Sequence, residues 1–174
     1  MILSLFFAAF AAITLADSSL PVDSLAAKVG REPILLSDVQ RFRDVYQVLN
    51  CTKFVSREIG SAENTKALLE AFIEDELMYQ EARARKVNTA GLIPQVIQMI
   101  HKSDTCKSMW QKLGTSYSKF YRTENRQREG ESLLVRELEK RVLVDKFRKT
   151  EVIADGELWK REAKSRYPVK VYLE

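Results

Sequence analysis

Few residues of this chain are equipped for chemistry. His101 is its single histidine. A metal site would need further ligands one helical turn away, and apart from Asp104 and Cys106 farther on, no Cys, Asp or Glu stands at helical metal spacing, so a surface histidine is expected. Glu74-Asp75-Glu76 puts three carboxylates in a row on a helix. Successive helical side chains point in different directions, so they form no convergent acid–base pair and read as a solvated face. No Gly-rich phosphate loop, nucleophile elbow, HExxH or paired CxxC occurs. The expectation is a protein that is not an enzyme, with no catalytic residues, no cofactor and no metal. Cys51 and Cys106 allow one disulfide in an oxidising compartment. They read equally well as two small buried apolar residues, because spacing alone does not fix the distance between them.

A surplus of adaptable apolar side chains is more informative. Met78, Tyr79, Met99, Met109, Trp110, Tyr117, Phe120 and Tyr121 are mostly core by type. Met78 and Tyr79 stand partly off the stripe through Phe72, Ile73 and Leu77, and Met99 is off the line of Val96 and Ile100. Off-stripe methionines and aromatics suit a groove that repacks around varied clients, so these eight are the candidate client-binding set. Arg122, Arg126 and Arg128 are interleaved with Glu124 and Glu129. That pattern reads as an exposed helix surface, and no nucleic-acid partner is expected.

These residues must be carried by elements the pattern makes explicit. Residues 25–36 place short apolar runs on either side of Gly30-Arg31-Glu32-Pro33, which predicts a β-hairpin. Ser37 and Gln40 suit a capping box, and Val39, Phe42, Val45, Tyr46 and Leu49 follow at helical spacing, predicting a first helix over 38–49. A second runs over 65–87, stopped by Asn88 in a left-handed turn, and a third over 89–101 has Pro94 in its first turn. Ser103-Asp104 recaps the chain for a fourth over 105–113, ended by Gly114. Thr115-Ser116 then caps a long charged helix reaching 149, with a break at Gly130. Asp155 caps a last helix through 167, and Pro168 stops it so that Val169-Lys170-Val171-Tyr172-Leu173 extends as a strand. An isolated hairpin is marginal in water, so this strand is expected to pair with it. The result is a mostly α domain with a small sheet packed on its helices.

The chain has 174 residues, 45% of them hydrophobic, and 28 Lys plus Arg against 24 Asp plus Glu, a net +4. That fits one globular domain with a modest core and argues against disorder. Residues 2–16 carry no charge and end in Thr14-Leu15-Ala16, small residues that suit signal peptidase. Residues 1–16 are therefore read as a cleaved signal and 17–174 as the domain. A retained anchor is the alternative, because no Lys or Arg precedes the apolar run.

Several blocks taken in order resemble the N-terminal chaperone domain of SurA and related periplasmic or extracytoplasmic foldases. Leu25-Ala-Ala-Lys-Val-Gly-Arg-Glu-Pro-Ile-Leu-Leu-Ser-Asp-Val39 is similar to the family's opening hairpin and first helix cap, and Leu69-Glu-Ala-Phe-Ile-Glu-Asp-Glu-Leu-Met-Tyr-Gln-Glu-Ala82 to its second helix. Trp110-Gln-Lys-Leu-Gly114, Phe120-Tyr-Arg122 and Ile153-Ala-Asp-Gly-Glu-Leu158 resemble later pieces. Asn125 and the polar stretch after it depart from the family's long helix, and the two cysteines are not family signatures. Parvulin-type isomerase domains have no counterpart here, and the histidine pair characteristic of parvulin sites is missing. What the resemblance implies is an ATP-independent periplasmic holdase for unfolded secreted or outer-membrane proteins, without isomerase chemistry. The alternative is a scaffold subunit that docks a separately encoded prolyl isomerase or membrane-assembly complex. Pairing of Val169 to Leu173 across two chains would give a homodimer.

Overall fold

The computed structural model describes residues 23–55, 57, 59, 64–118, 126–151 and 156–173. The expected hairpin consists of β1 (Leu25–Val29) and β2 (Glu32–Leu35), and the returning strand is β3 (Val169–Val171). All three pair antiparallel in the order β2-β1-β3. The turn between β1 and β2 opens on Gly30 at φ +59, which glycine adopts without the steric penalty of a Cβ.

Six helices lie among the described residues: α1 (Leu36–Cys51), α2 (Thr65–Ala84), α3 (Leu92–Lys102), α4 (Asp104–Ser118), α5 (Arg126–Glu151) and α6 (Gly156–Arg166). The chain is thus mostly α, as the periodicity predicts. The apolar stripes meet in one core, with Phe42 and Tyr46 of α1, Phe72 and Leu77 of α2, Leu134, Leu138 and Phe147 of α5 and Val29 of β1 all buried. Burying each large side chain contributes about 1.5–3 kcal/mol. No helix among the described residues is long and apolar enough to cross a membrane. The signal-peptide reading, Asp155 and the Arg122 cluster fall outside the described residues or their described side chains.

Local expectations are corrected in five places. The α1 cap comes from Asp38, whose Oδ2 accepts the Leu35 N–H at 2.8 Å, while the Ser37 hydroxyl turns to Asp23. α2 stops at Ala84, and Lys86 rather than Asn88 takes the left-handed conformation at φ +54; the Asn88 side chain accepts the Ala90 N–H instead. α4 continues through Gly114, which is buried beside Leu134 of α5, and Thr115 bonds back to the Gln111 carbonyl inside the helix. α5 passes Gly130 unbroken. At Gly114, packing against α5 overrides the low helix propensity of glycine. Finally, Asp75 and Glu76 are buried, at 0% and 2% exposure, and only Glu74 retains partial access.

Cys51 and Cys106 are joined as a disulfide, with Cα atoms 5.7 Å apart. The bridge ties the last residue of α1 to the first turn of α4, where Cys106 is also buried. Ser103 caps α4 as its sequence position predicts.

Candidate functional site

The buried carboxylates of α2 organise the ground on which any site must be built. Asp75 Oδ2 accepts the Tyr46 hydroxyl at 2.5 Å and lies 3.4 Å from Arg141 Nη1, while Oδ1 meets Arg148 Nη2 at 2.7 Å and Arg57 Nη1 at 3.0 Å. Glu74 also reaches Arg57, at 3.3 Å, and Glu137 reaches Arg141, at 3.2 Å. Three guanidiniums are thus matched by three carboxylates. The Arg141 guanidinium carbon lies 4.7 Å from the ring centroids of both Phe42 and Phe72, which is cation–π distance on two aromatic contacts.

Burial, then the Asp75 charge, raises the Tyr46 phenol well above its ordinary pKa and keeps it protonated. Burial opposes the Arg141 charge, but Glu137 and Asp75 outweigh it and hold that guanidinium above its ordinary value. Arg148 is raised in the same way, with Asp75 the leading attraction against burial. Every acid in this knot is occupied by a cation that never titrates near neutrality, so the knot locks α5 onto α1 and α2 rather than moving protons. Glu76 extends it to Lys140 Nζ at 2.5 Å, and Glu81 reaches Arg166 at 3.1 Å.

One turn beyond Asp75, the same helix supplies the floor of a groove. A cavity of about 580 Å³ opens between α2, the α2–α3 turn, α3 and α5. Tyr79 lines it, with Ile93, Pro94 and Leu143 as apolar walls and Arg83, Arg136 and Lys140 as cations, against one carboxylate, Glu139. Lys140 Nζ is 4.6 Å from the Tyr79 ring centroid, and the Arg83 guanidinium is 5.7 Å from it. Because Glu76 also holds Lys140, the ammonium is fixed beside the ring. An aromatic floor with apolar walls and a basic rim can take an aliphatic or aromatic side chain and attract an acid next to it. A second cavity of about 750 Å³ shares Arg83 and is lined by Gly30, Arg31, Gln80, Arg166, Tyr167 and Pro168.

The eight candidate residues do not converge on one place. Tyr79 lines the groove. Met78 is buried in the core and presents no client surface. Met99 is exposed on α3, and Trp110 is half-buried on α4. Met109 lines a separate depression of about 240 Å³ between α1 and α4, with Val48 and Leu113. Tyr117 lies in the last turn of α4 with its side chain outside the described part, and Phe120 and Tyr121 fall outside the described residues. His101 is exposed at the end of α3. Arg83, Arg136, Lys140 and Leu143 were not legible as site residues. Only the i to i+4 spacing of Tyr79 and Arg83 signals one of them, because the other three come from α5. Among the described residues, no group of three His, Cys, Asp or Glu side chains could hold a metal ion. No protein-family model, curated protein or solved structure matches this chain.

Proposed function

We propose that this protein is an exported, ATP-independent holdase that binds extended segments of unfolded secreted or outer-membrane polypeptides, holding them without chemistry. The observation that carries the reading is the Tyr79 groove, whose aromatic floor, apolar walls and basic rim match an apolar side chain next to an acidic one. The resemblance to the SurA N-terminal chaperone domain supports it, since the hairpin, helices and returning strand occur in the order that resemblance implies. A disulfide between Cys51 and Cys106 is consistent with export to an oxidising periplasm.

The test is suppression of aggregation of an unfolded outer-membrane β-barrel protein by the purified chain, with affinity followed by Trp110 and Trp159 fluorescence. Y79A is expected to weaken client binding by roughly tenfold or more, as for an aromatic anchor, with thermal stability nearly kept. Unchanged affinity in both Y79A and L143E, or equal loss of affinity and stability, sinks the groove as the client site.

A further inference from the structure

The three-stranded sheet has two edges, and the chain treats them differently. The Gly30 N–H donates to the Pro168 carbonyl and the Tyr172 N–H to the Ala26 carbonyl, both at 2.9 Å. Even-numbered residues of β1 and β3 therefore face each other across the ladder, and odd-numbered residues of β1 turn toward β2. In that register Pro33, opposite Lys28, has its backbone nitrogen on the outer side of β2. Proline has no N–H there, so the β2 edge is blocked against an added strand.

The β3 edge is open. By the same alternation, the N–H and C=O groups of Val169 and Val171 point away from β1, and among the described residues no strand pairs with them. Val171 and Tyr172 are also the most exposed large hydrophobic residues described, at 54% and 51%. Lys170 lies directly across from Lys28, and both are exposed. Like charges in a cross-strand pair repel, and among the described residues neither lysine has a carboxylate partner. A carboxylate on an added strand opposite Lys170 would relieve that repulsion, and the pair at this position, lacking direct backbone bonds, is the type that brings side chains closest.

The geometry points to β3 as an acceptor for strand addition by an extended polypeptide segment with the pattern apolar, acidic, apolar, its acid opposite Lys170 and its apolar residues opposite Val169 and Val171. The backbone bonds would supply affinity and the lysine pair the choice of sequence. A second copy of the chain is a poorer occupant, because antiparallel self-pairing centred on Lys170 sets two lysines face to face. This site stands apart from the Tyr79 groove and does not rest on the holdase reading.

The probe is a fluorescein-labelled, terminally blocked heptapeptide, Thr-Val-Glu-Val-Glu-Val-Thr, titrated with the full chain by anisotropy. Two control peptides carry Lys in place of Glu, or N-methyl groups on the backbone amides of every second residue. Saturable binding of the Glu peptide is expected, with about tenfold weaker binding of both controls. V171P, which deletes an outward donor, is expected to weaken the Glu peptide to a similar extent. K170E leaves the backbone intact and is expected to reverse the preference between the Glu and Lys peptides. Failure of the Glu peptide to bind, equal binding of the N-methylated peptide, or an unchanged preference in K170E overturns the proposal. So does a dimer by sedimentation that V171P dissociates, since a second copy would then hold the edge. Failure of the Glu peptide to bind while Y79A still weakens client binding would separate failure here from failure of the groove.

Discussion

Asp75 shows how a single side chain can be misread from sequence and why. Three successive carboxylates on a helix look like a solvated face, yet Asp75 is fully buried because Tyr46, Arg57, Arg141 and Arg148 converge on it from distant parts of the chain. No local pattern could reveal partners that only the packing of α5 on α2 brings together. D75N would leave three guanidiniums short of a charge and is expected to destabilise the fold by about 3–5 kcal/mol, read by urea denaturation. Tyr46 makes a subtler prediction. Its pKa is raised in the fold above the ordinary value of 10.0, so the stability it contributes is fully present below pH 10 and is lost as pH rises beyond it. Y46F is expected to cost about 1.5–3 kcal/mol at pH 7, the range for a hydrogen bond to a charged acceptor. The gap between Y46F and the parent protein should then narrow as denaturation curves are taken above pH 10; a constant gap would mean that the phenol–carboxylate contact is not what stabilises the neutral state.

At the scale of elements, periodicity located every helix and strand among the described residues, and the errors fell at their ends and at glycines. Alternation and helical spacing report burial directly, so the β1–β2 hairpin and the Phe72 face of α2 were legible. Gly114 was not, because its fate depends on α5 passing beside it. A Cβ at Gly114 would meet a Leu134 methyl at 3.9 Å, an ordinary contact. G114A is therefore expected to stabilise the protein by about 0.5–1 kcal/mol through helix propensity and a less flexible unfolded chain. A fall in thermal midpoint would show that α4 and α5 approach more closely than that space allows. The Cys51–Cys106 bridge joins α1 to α4 across a sequence separation of 55. Chain-entropy arguments assign such a loop about 4 kcal/mol. The paired variant C51A/C106A should lose stability on that order, with its denaturation midpoint no longer sensitive to dithiothreitol.

The whole molecule is arranged around α2, which packs against α1, α5, α6 and β1 and carries the knot at Asp75, the groove at Tyr79 and a link to the sheet through Gln80. The proposed client groove thereby lies on the rim of a deeply buried helix, while the elements around it differ in how much they bury. α3 buries only Val96 and Ile100 and starts at Gly91 in a left-handed conformation, so it is the lightly anchored wall of the groove. β3 is a short edge strand that buries little side-chain surface. Such differences translate into a hierarchy of local opening, because protection scales with buried contacts. In native-state hydrogen exchange, amides of residues 72–78 are expected to exchange only through global unfolding, those of α3 through a cheaper local opening, and the outward Val171 amide faster than the β1-facing Lys170 amide. Client binding at Tyr79 should then slow residues 72–78 only by the global stabilisation RT ln(1 + [client]/Kd), while also suppressing the cheaper local opening of α3. Suppression of local opening in α4, around Met109 and Trp110, with α3 opening as before would instead move the client to the depression between α1 and α4.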